Sequence, residues 1–380
     1  MRYLILVLLI GFSLLGCVGS PSPGIIAPTA TFTPLVATAT APPATPTMSF
    51  TPTATPYSTP NPALAADTAK RGLARVLEIA GEADLVCLRH EDTDGDAEPE
   101  WLALIHQPAA GPRLSAFVLD GEEFYALPAA HPKPGEPDIG LGQYATCELE
   151  IRDINADGRP EVAIFGHAEQ HETFLHVYVW ERGEYRLLGA FRGTADIHFE
   201  DRDGDLAEEI IEGHLDTAAP SLAWEIIFTW DGQQTYGWTT DRWAWYYLER
   251  PHAYLTHKPS YAVISFYLAV DDRDLPGAYA LLDTATQSTR PYAAWANGFA
   301  STLRVDTGAV HQLPGVGDEN HARVATQVLA WDNEAGRVIA RTWEVLWDVV
   351  RTAEGWRLTS STMNLLLEEE MTYYPTGGKR

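Results

Sequence analysis

The sequence predicts a mainly β chain: a propeller-like repeat domain of about three four-stranded blades, then a C-terminal α+β domain shaped as a cone. Three observations predict it. An acidic loop recurs three times with its oxygens at the same offsets, and apolar strand-like segments surround each copy in the same order. After Pro259, helical spacing comes first and long strands follow.

In the first loop, Asp92, Asp94, Asp96 and Glu100 take positions 1, 3, 5 and 9. Asp153, Asn155, Asp157 and Glu161 repeat the spacing, and Asp201, Asp203, Asp205 and Glu209 repeat it again. Alternating acids on a turning backbone suit a hard cation; calcium takes about 6–8 oxygen ligands in flexible geometry. An ordinary polar turn needs only one or two Asp or Asn residues. At position 6, Gly158 permits a tight bend, whereas Ala97 and Leu206 stand there in the other loops, which predicts weaker binding or a different bend. An EF-hand is excluded. Position 12 is Ala103 in the first loop and Ile164 in the second. The third has Glu212 there but lacks the glycine, and strands flank all three.

Each repeat reads strand, acidic loop, strand, strand, hairpin turn, strand. Leu85–Leu88, Cys147–Ile151 and Ile197–Phe199 precede the loops. Trp101–Ile105, Val162–Phe165 and Ile210–Ile211 follow them. The next strands are Leu114–Leu119, Leu175–Trp180 and Trp224–Trp230, and the last lie around Phe124–Tyr125, Tyr185–Leu188 and Tyr236–Trp238. From the last loop acid to the turn glycine the separations are 21, 22 and 23 residues, which establishes a common register. Loop spacings of 61 and 48 residues differ through a Pro/Gly-rich insert around Pro128–Gly142. A unit of this size suits a propeller blade, but closure takes roughly 4–8 blades. The repeat domain, residues 83–250, is therefore either open or completed by a degenerate fourth blade using Trp243, Trp245 and Tyr247. Ahead of it, Ala69, Leu73, Val76, Leu77 and Ala80 share a helical face that Gly81 ends, giving a capping helix over 63–82.

In the C-terminal domain, residues 259–367, helices are expected around Tyr261–Leu268, Pro276–Leu282 and Pro291–Phe299. Strands follow at Ser301–Val305, Ala322–Trp331, Val338–Val349 and Trp356–Leu366, before a tail over 368–380.

A net charge of −26 opposes phosphate backbones and excludes nucleic acid as a partner. Met1–Arg2, then the apolar run Tyr3–Leu15 and Leu14-Leu15-Gly16-Cys17, form an export signal too short to span a bilayer comfortably. Its end resembles a bacterial lipobox, which implies a signal peptide over 1–16, lipid on Cys17 as the membrane anchor, and an extracytoplasmic location at the cell envelope. Residues 17–62 are dominated by Thr, Pro, Ala and Ser and predict an extended spacer. Cys87 and Cys147 are either a disulfide, which that compartment permits, or two buried thiols.

The three loops resemble the FG-GAP/VCBS-type repeat, related to the calcium loops of integrin α-chain propellers. That resemblance implies up to three structural calcium ions, held by the side chains at positions 1, 3, 5 and 9 and by the position-7 carbonyls of Glu98, Arg159 and Ala207. Residues 260–367 resemble the ketosteroid-isomerase/nuclear-transport-factor superfamily (SnoaL-like), on Tyr267-Leu268-Ala269-Val270, Ala278–Leu282, Pro291–Trp295 and the closing hairpin. Some members use buried Asp and Tyr groups for acid–base work, which makes Asp283, Asp306, His311, His321, Tyr267 and Tyr279 candidates here. None falls on a catalytic motif, and no Ser-His-Asp order, phosphate loop or H-E-x-x-H spacing occurs. His106, His167 and His214, with His171 and His176, are either a metal set or the polar ends of equivalent strands.

The expected function is a cell-surface lipoprotein whose calcium-stabilised repeat domain binds a protein or glycan without catalysis. The alternatives are an extracytoplasmic enzyme with its pocket in the C-terminal cone, and a sensor or accessory subunit of an envelope system.

Overall fold

A computed structural model describes residues 62–107, 113–144, 146–168, 171–246 and 252–371. The signal peptide, Cys17, the spacer, Tyr247 and the tail beyond Met371 lie outside the described residues.

Helix α1 (Pro62–Ala80) ends on Gly81, whose left-handed φ of +59° lets its amide return to the Leu77 carbonyl at 3.1 Å. Three antiparallel meanders follow. The first sheet is β1 (Asp84–Glu91), β2 (Glu100–His106), β3 (Leu114–Asp120) and β4 (Glu123–Leu127). The second is β5 (Leu149–Arg152), β6 (Glu161–His167), β7 (Thr173–Glu181) and β8 (Glu184–Gly193). The third is β9 (Ile197–Glu200), β10 (Glu209–Leu215), β11 (Leu222–Trp230) and β12 (Tyr236–Trp245). Every strand pairs with its sequence neighbour, so the repeat read from landmarks is a repeat of sheets.

Side-chain alternation decides the stacking. On β2, Leu102 and Leu104 face the second sheet, while Ala103 and Ile105 pack with Val76 and Ala80 of α1. On β6, Val162 and Ile164 turn to the first sheet and Ala163 to the third. Strands buried on both faces read as near-continuous apolar runs, as β2 and β6 do. The sheets are stacked in chain order, and the first and third share no core cluster among the described residues. Trp243 and Trp245 are not a fourth blade: they continue β12, opposite Trp224 and Leu222. The cysteine alternative is settled as a disulfide, Cys87–Cys147, joining β1 to the segment just ahead of β5.

The C-terminal unit opens with α2 (Pro259–Asp271), α3 (Leu275–Ala280), α4 (Thr284–Thr289), α5 (Tyr292–Ala296) and a 3-10 turn at Asn297–Phe299. A fourth antiparallel sheet follows: β13 (Thr302–Gly317), β14 (His321–Glu334), β15 (Arg337–Thr352) and β16 (Gly355–Met371). Three differences from expectation stand out. Helix α4, Thr-Ala-Thr-Gln-Ser-Thr, has little helix propensity and exists because Asp283 caps it, accepting from the Thr286 amide at 2.9 Å. Strand β13 runs far past Val305, carried by irregular register shifts between Thr307 and Val310 and between Gln312 and Gly317. Strand β16 continues through Glu368–Met371, so the tail starts later.

Ala219, in the β10–β11 turn, and Leu222 of the third sheet share a core with Tyr261, Ile264 and Leu268 of α2. The described residues, from Pro62 to Met371, thus pack as one body. No helix among the described residues is long and apolar enough to cross a membrane.

Candidate metal centre

Each acidic loop is built by its own hydrogen bonds. In the first, Asp92 accepts from the Gly95 amide (2.7 Å) and the Ala97 amide (2.9 Å), Asp94 from Asp96 (3.0 Å) and Asp96 from Glu98 (2.7 Å). The second loop repeats this: Asp153 accepts from Gly158 (3.0 Å), Asn155 from Asp157 (2.9 Å) and Asp157 from Arg159 (2.9 Å). In the third, Asp201 accepts from Gly204 (2.7 Å), Asp203 from Asp205 (3.1 Å) and Asp205 from Ala207 (2.9 Å). The ninth-position acids are tied in the same way. Glu100, Glu161 and Glu209 accept from the amides of Thr93, Ile154 and Arg202 at 2.6, 2.8 and 2.8 Å.

The expectation that Ala97 and Leu206 bend their loops differently is corrected. Positions 4 and 6 are both left-handed in all three loops: Gly95 and Ala97, Ala156 and Gly158, Gly204 and Leu206. One glycine per loop suffices, and the other site pays a conformational penalty of about 1–2 kcal/mol. Leu206, 75% exposed at φ +80°, gains little from packing in return. Leu206→Gly is therefore expected to raise stability by about 1 kcal/mol. Gly158→Ala, whose added Cβ meets nothing but keeps φ at +87°, should lower it by a similar amount. Urea midpoints of the two variants, moving in opposite directions, check this.

The structure draws Asp92, Asp94, Asp96 and Glu100 together, with one oxygen of each within 4.8 Å of the others, and does the same for Asp201, Asp203 and Glu209. Asp205 stays outside the third group, although it accepts from the Ala207 amide as Asp96 does from Glu98. Asp153, Asp157 and Glu161 do not converge as closely: Arg159 sits 2.7 Å from Asp157, and the Asn155 amide donates to Glu161 at 3.0 Å.

The donor chemistry fits a hard cation in the first and third loops. Glu100 and Glu209 are buried, and each stands among carboxylates. Burial, helped by the neighbouring aspartates, pushes Glu100, Glu161 and Glu209 up to about 7 against an ordinary 4.5. A bound divalent cation would supply the charge that keeps these groups ionised. Asp94 and Asp203 are raised for the same reason, burial first.

The other candidates are dispersed. His106, His167 and His214 end or nearly end β2, β6 and β10, beside Asp84 (3.8 Å), Glu148 (3.0 Å) and Glu212 (2.8 Å) respectively, and form no shared group among the described residues. His171 lies in the turn between β6 and β7, and His176 is buried, held neutral with its pKa lowered to about 4. In the C-terminal unit, Tyr267 accepts from Trp347 Nε1 at 3.0 Å, and Tyr279 donates to the carbonyls of Gln287 and Arg290. Phe266, Tyr267, Trp295 and Trp347 pack into one core. His311 and His321 are exposed.

Asp306 belongs elsewhere. It is buried in a charged joint between the third sheet and the C-terminal unit, paired with Arg202, with Arg242 (3.3 Å) and with Arg304 (3.2 Å). Glu200 meets Arg242 and Arg304 at 3.3 Å each, and Glu225 meets Arg242 at 2.6 Å. Asp271, beside Val305, is pushed up to about 7 by burial and then by the Asp306 charge. Sequence reasoning missed this joint.

A cleft of about 460 Å³ lies under the 130–143 insert, against Phe174, His176, Arg192 and Glu212. It occupies the His167–Thr173 end of the second sheet, opposite the loop end where Glu161 pairs with Val179. Arg192 bridges Glu172 (2.8 Å) and Glu136 of the insert (3.3 Å).

No family model matches the sequence, and no curated protein matches it. Among solved structures, the chain is similar to a candidate aromatic ring hydroxylase from Novosphingobium aromaticivorans at 19% identity and a TM-score of 0.24, over 29% of this chain and 87% of that one. It is also similar to Bdellovibrio bacteriovorus Bd1075 at 9% identity and a TM-score of 0.21, over 52% and 91% of the two chains. At such scores neither likeness bears on fold or activity.

Proposed function

We propose that this chain is a non-catalytic binding module of a bacterial surface lipoprotein, stapled by calcium in its acidic loops. The observation that carries the reading is the common frame of the three loops: the same amide-to-carboxylate bonds, the same two left-handed positions and a buried glutamate at position 9. In this reading the three stacked sheets are FG-GAP/VCBS-type blades in an open array, and the C-terminal unit is a nuclear-transport-factor-like cone. The loops at one end are structural, since a shell of protein oxygens leaves little room for substrate. The cleft at the other end is the surface for a protein or glycan ligand, because a rigid β scaffold positions loops for recognition. The aromatic core of the C-terminal unit speaks for packing over catalysis there. Lipid on Cys17 anchors the chain outside the cytoplasm.

Thermal melting against calcium and pH tests the staple. A carboxyl whose folded pKa exceeds its unfolded value stabilises the fold below the unfolded value and loses that contribution as pH rises through the folded one. Without metal, stability should therefore fall between pH 4.5 and about 7 as Glu100, Glu161 and Glu209 ionise in place. Millimolar calcium should remove the part of the fall owed to Glu100 and Glu209, so its stabilising effect is larger at pH 7.5 than at pH 5, in the range set by roughly millimolar extracellular sites. Equal melting curves with calcium and with chelator at pH 7.5 would reject the staple.

A further inference from the structure

The second residue of each acidic loop sends its side chain out of its own sheet. Thr93 Oγ1 lies 2.5 Å from Tyr185 Oη of β8, in the second sheet. Ile154, fully buried, packs with Ile210 and Tyr236 in the core shared with the third sheet. Arg202 pairs with Asp306 of β13, in the C-terminal unit. At every step the partner belongs to the next unit along the chain, and the chemistry is matched: hydroxyl to hydroxyl, apolar to apolar, guanidinium to carboxylate. The C-terminal unit receives the third loop as the second and third sheets receive the first and second.

The same residue is fastened to the acid frame through its backbone, since the amides of Thr93, Ile154 and Arg202 donate to the ninth-position glutamates. Glu209 is 4% exposed, takes that amide on one oxygen, and stands within 4.8 Å of Asp201 and Asp203. Position 2 thus has its backbone on the acid frame and its side chain against the next unit, the Thr93 hydroxyl also donating to Glu100 at 2.7 Å.

We propose that Arg202 couples metal in the third loop to docking of the C-terminal unit. The proposal rests on the calcium reading above. Without a cation, Asp201, Asp203 and Glu209 repel one another. A loop opened by that repulsion no longer fixes the Arg202 amide, and the guanidinium loses its aim at Asp306. In the other direction, docking holds Arg202, hence Glu209, and preorganises the acids for the ion. Linkage requires the two effects to be the same factor.

Hydrogen exchange of the full chain, followed by mass spectrometry across a calcium series, reads each loop separately through peptides covering residues 92–100, 153–161 and 201–209. Asp306→Asn removes the docking carboxylate and leaves every loop acid in place. It should raise the calcium midpoint of the third loop about ten-fold and leave the other two unmoved. Tyr185→Phe, which removes the first key's partner and leaves the Thr93 hydroxyl on Glu100, should shift the first loop alone. If neither variant moves its own loop, or if all three loops shift together, the coupling is overturned and the calcium reading stands. If no loop of the unsubstituted chain responds to calcium, both fall.

Discussion

Replacing Arg242 with methionine is expected to destabilise the chain by about 3–5 kcal/mol, the cost of breaking a buried ion network from one side. The Arg242 side chain is 14% exposed and touches three carboxylates, Glu225 at 2.6 Å and Glu200 and Asp306 at 3.3 Å each. Burial alone would lower its pKa, but those acids win and push it up. With Arg242 gone, Arg202 and Arg304 still serve Asp306 and Glu200, but Glu225 keeps no cation in the joint. Removing that stranded charge as well, in Arg242→Met/Glu225→Leu, should restore much of the loss, because apolar replacements of a buried pair are often close to neutral. The exposed pair Arg323–Asp348 is the contrast: at 45% exposure of both side chains, Arg323→Ala should cost under about 1 kcal/mol. Urea unfolding of the three variants separates these effects. A loss below about 1 kcal/mol for Arg242→Met would mean that the apolar contacts of α2 hold the joint by themselves.

The three repeat sheets were legible because their signals are local. Alternation, a turn glycine and an acidic run all fall within one unit, and three copies in common register leave little freedom in pairing. Strand β13 was legible only to Val305, since Gly308, Pro314 and two register shifts break the alternation beyond it. Helix α4 was hidden for the opposite reason: its six residues favour no helix, and the decisive group is the Asp283 cap outside it. The supposed fourth blade failed on the same ground that makes β12 long, with Trp243 and Trp245 extending a strand already begun at Tyr236.

For the site, the nine-residue acidic loops could be read directly, as their oxygen-bearing residues all lie within one short stretch of chain. The glycine argument was only half right. The sequence points to position 6, where Gly158 stands, but the backbone needs left-handed residues at positions 4 and 6, and each loop supplies glycine at just one of them. The charged joint could not be read. Arg202 and Asp306 are 104 residues apart, and neither sits in a pattern that names the other. Nothing in the loop pattern marks Arg202 for burial, which follows from the C-terminal unit packing beside the third sheet.

Removing the Cys87–Cys147 bridge, by reduction or as Cys87→Ala/Cys147→Ala, is expected to cost about 4 kcal/mol for a cross-link spanning 60 residues. In a body of this size that lowers the melting temperature by roughly 6 °C. The bridge does more than shorten the unfolded chain. Cys87 lies 3% exposed in the core between the first two sheets, with Leu102, Val162 and Tyr178. Its two ends enter the chain shortly before Asp92 and Asp153, so it pins the segments that feed the first and second acidic loops. Calcium should therefore stabilise the reduced chain less than the oxidised one, because loops on a looser base must be ordered by the ion itself. Melting the oxidised, reduced and doubly substituted proteins with and without calcium checks both parts. Equal melting temperatures for the oxidised and reduced proteins would mean that the apolar contacts between the first two sheets already fix their register, leaving the bridge without a stabilising role.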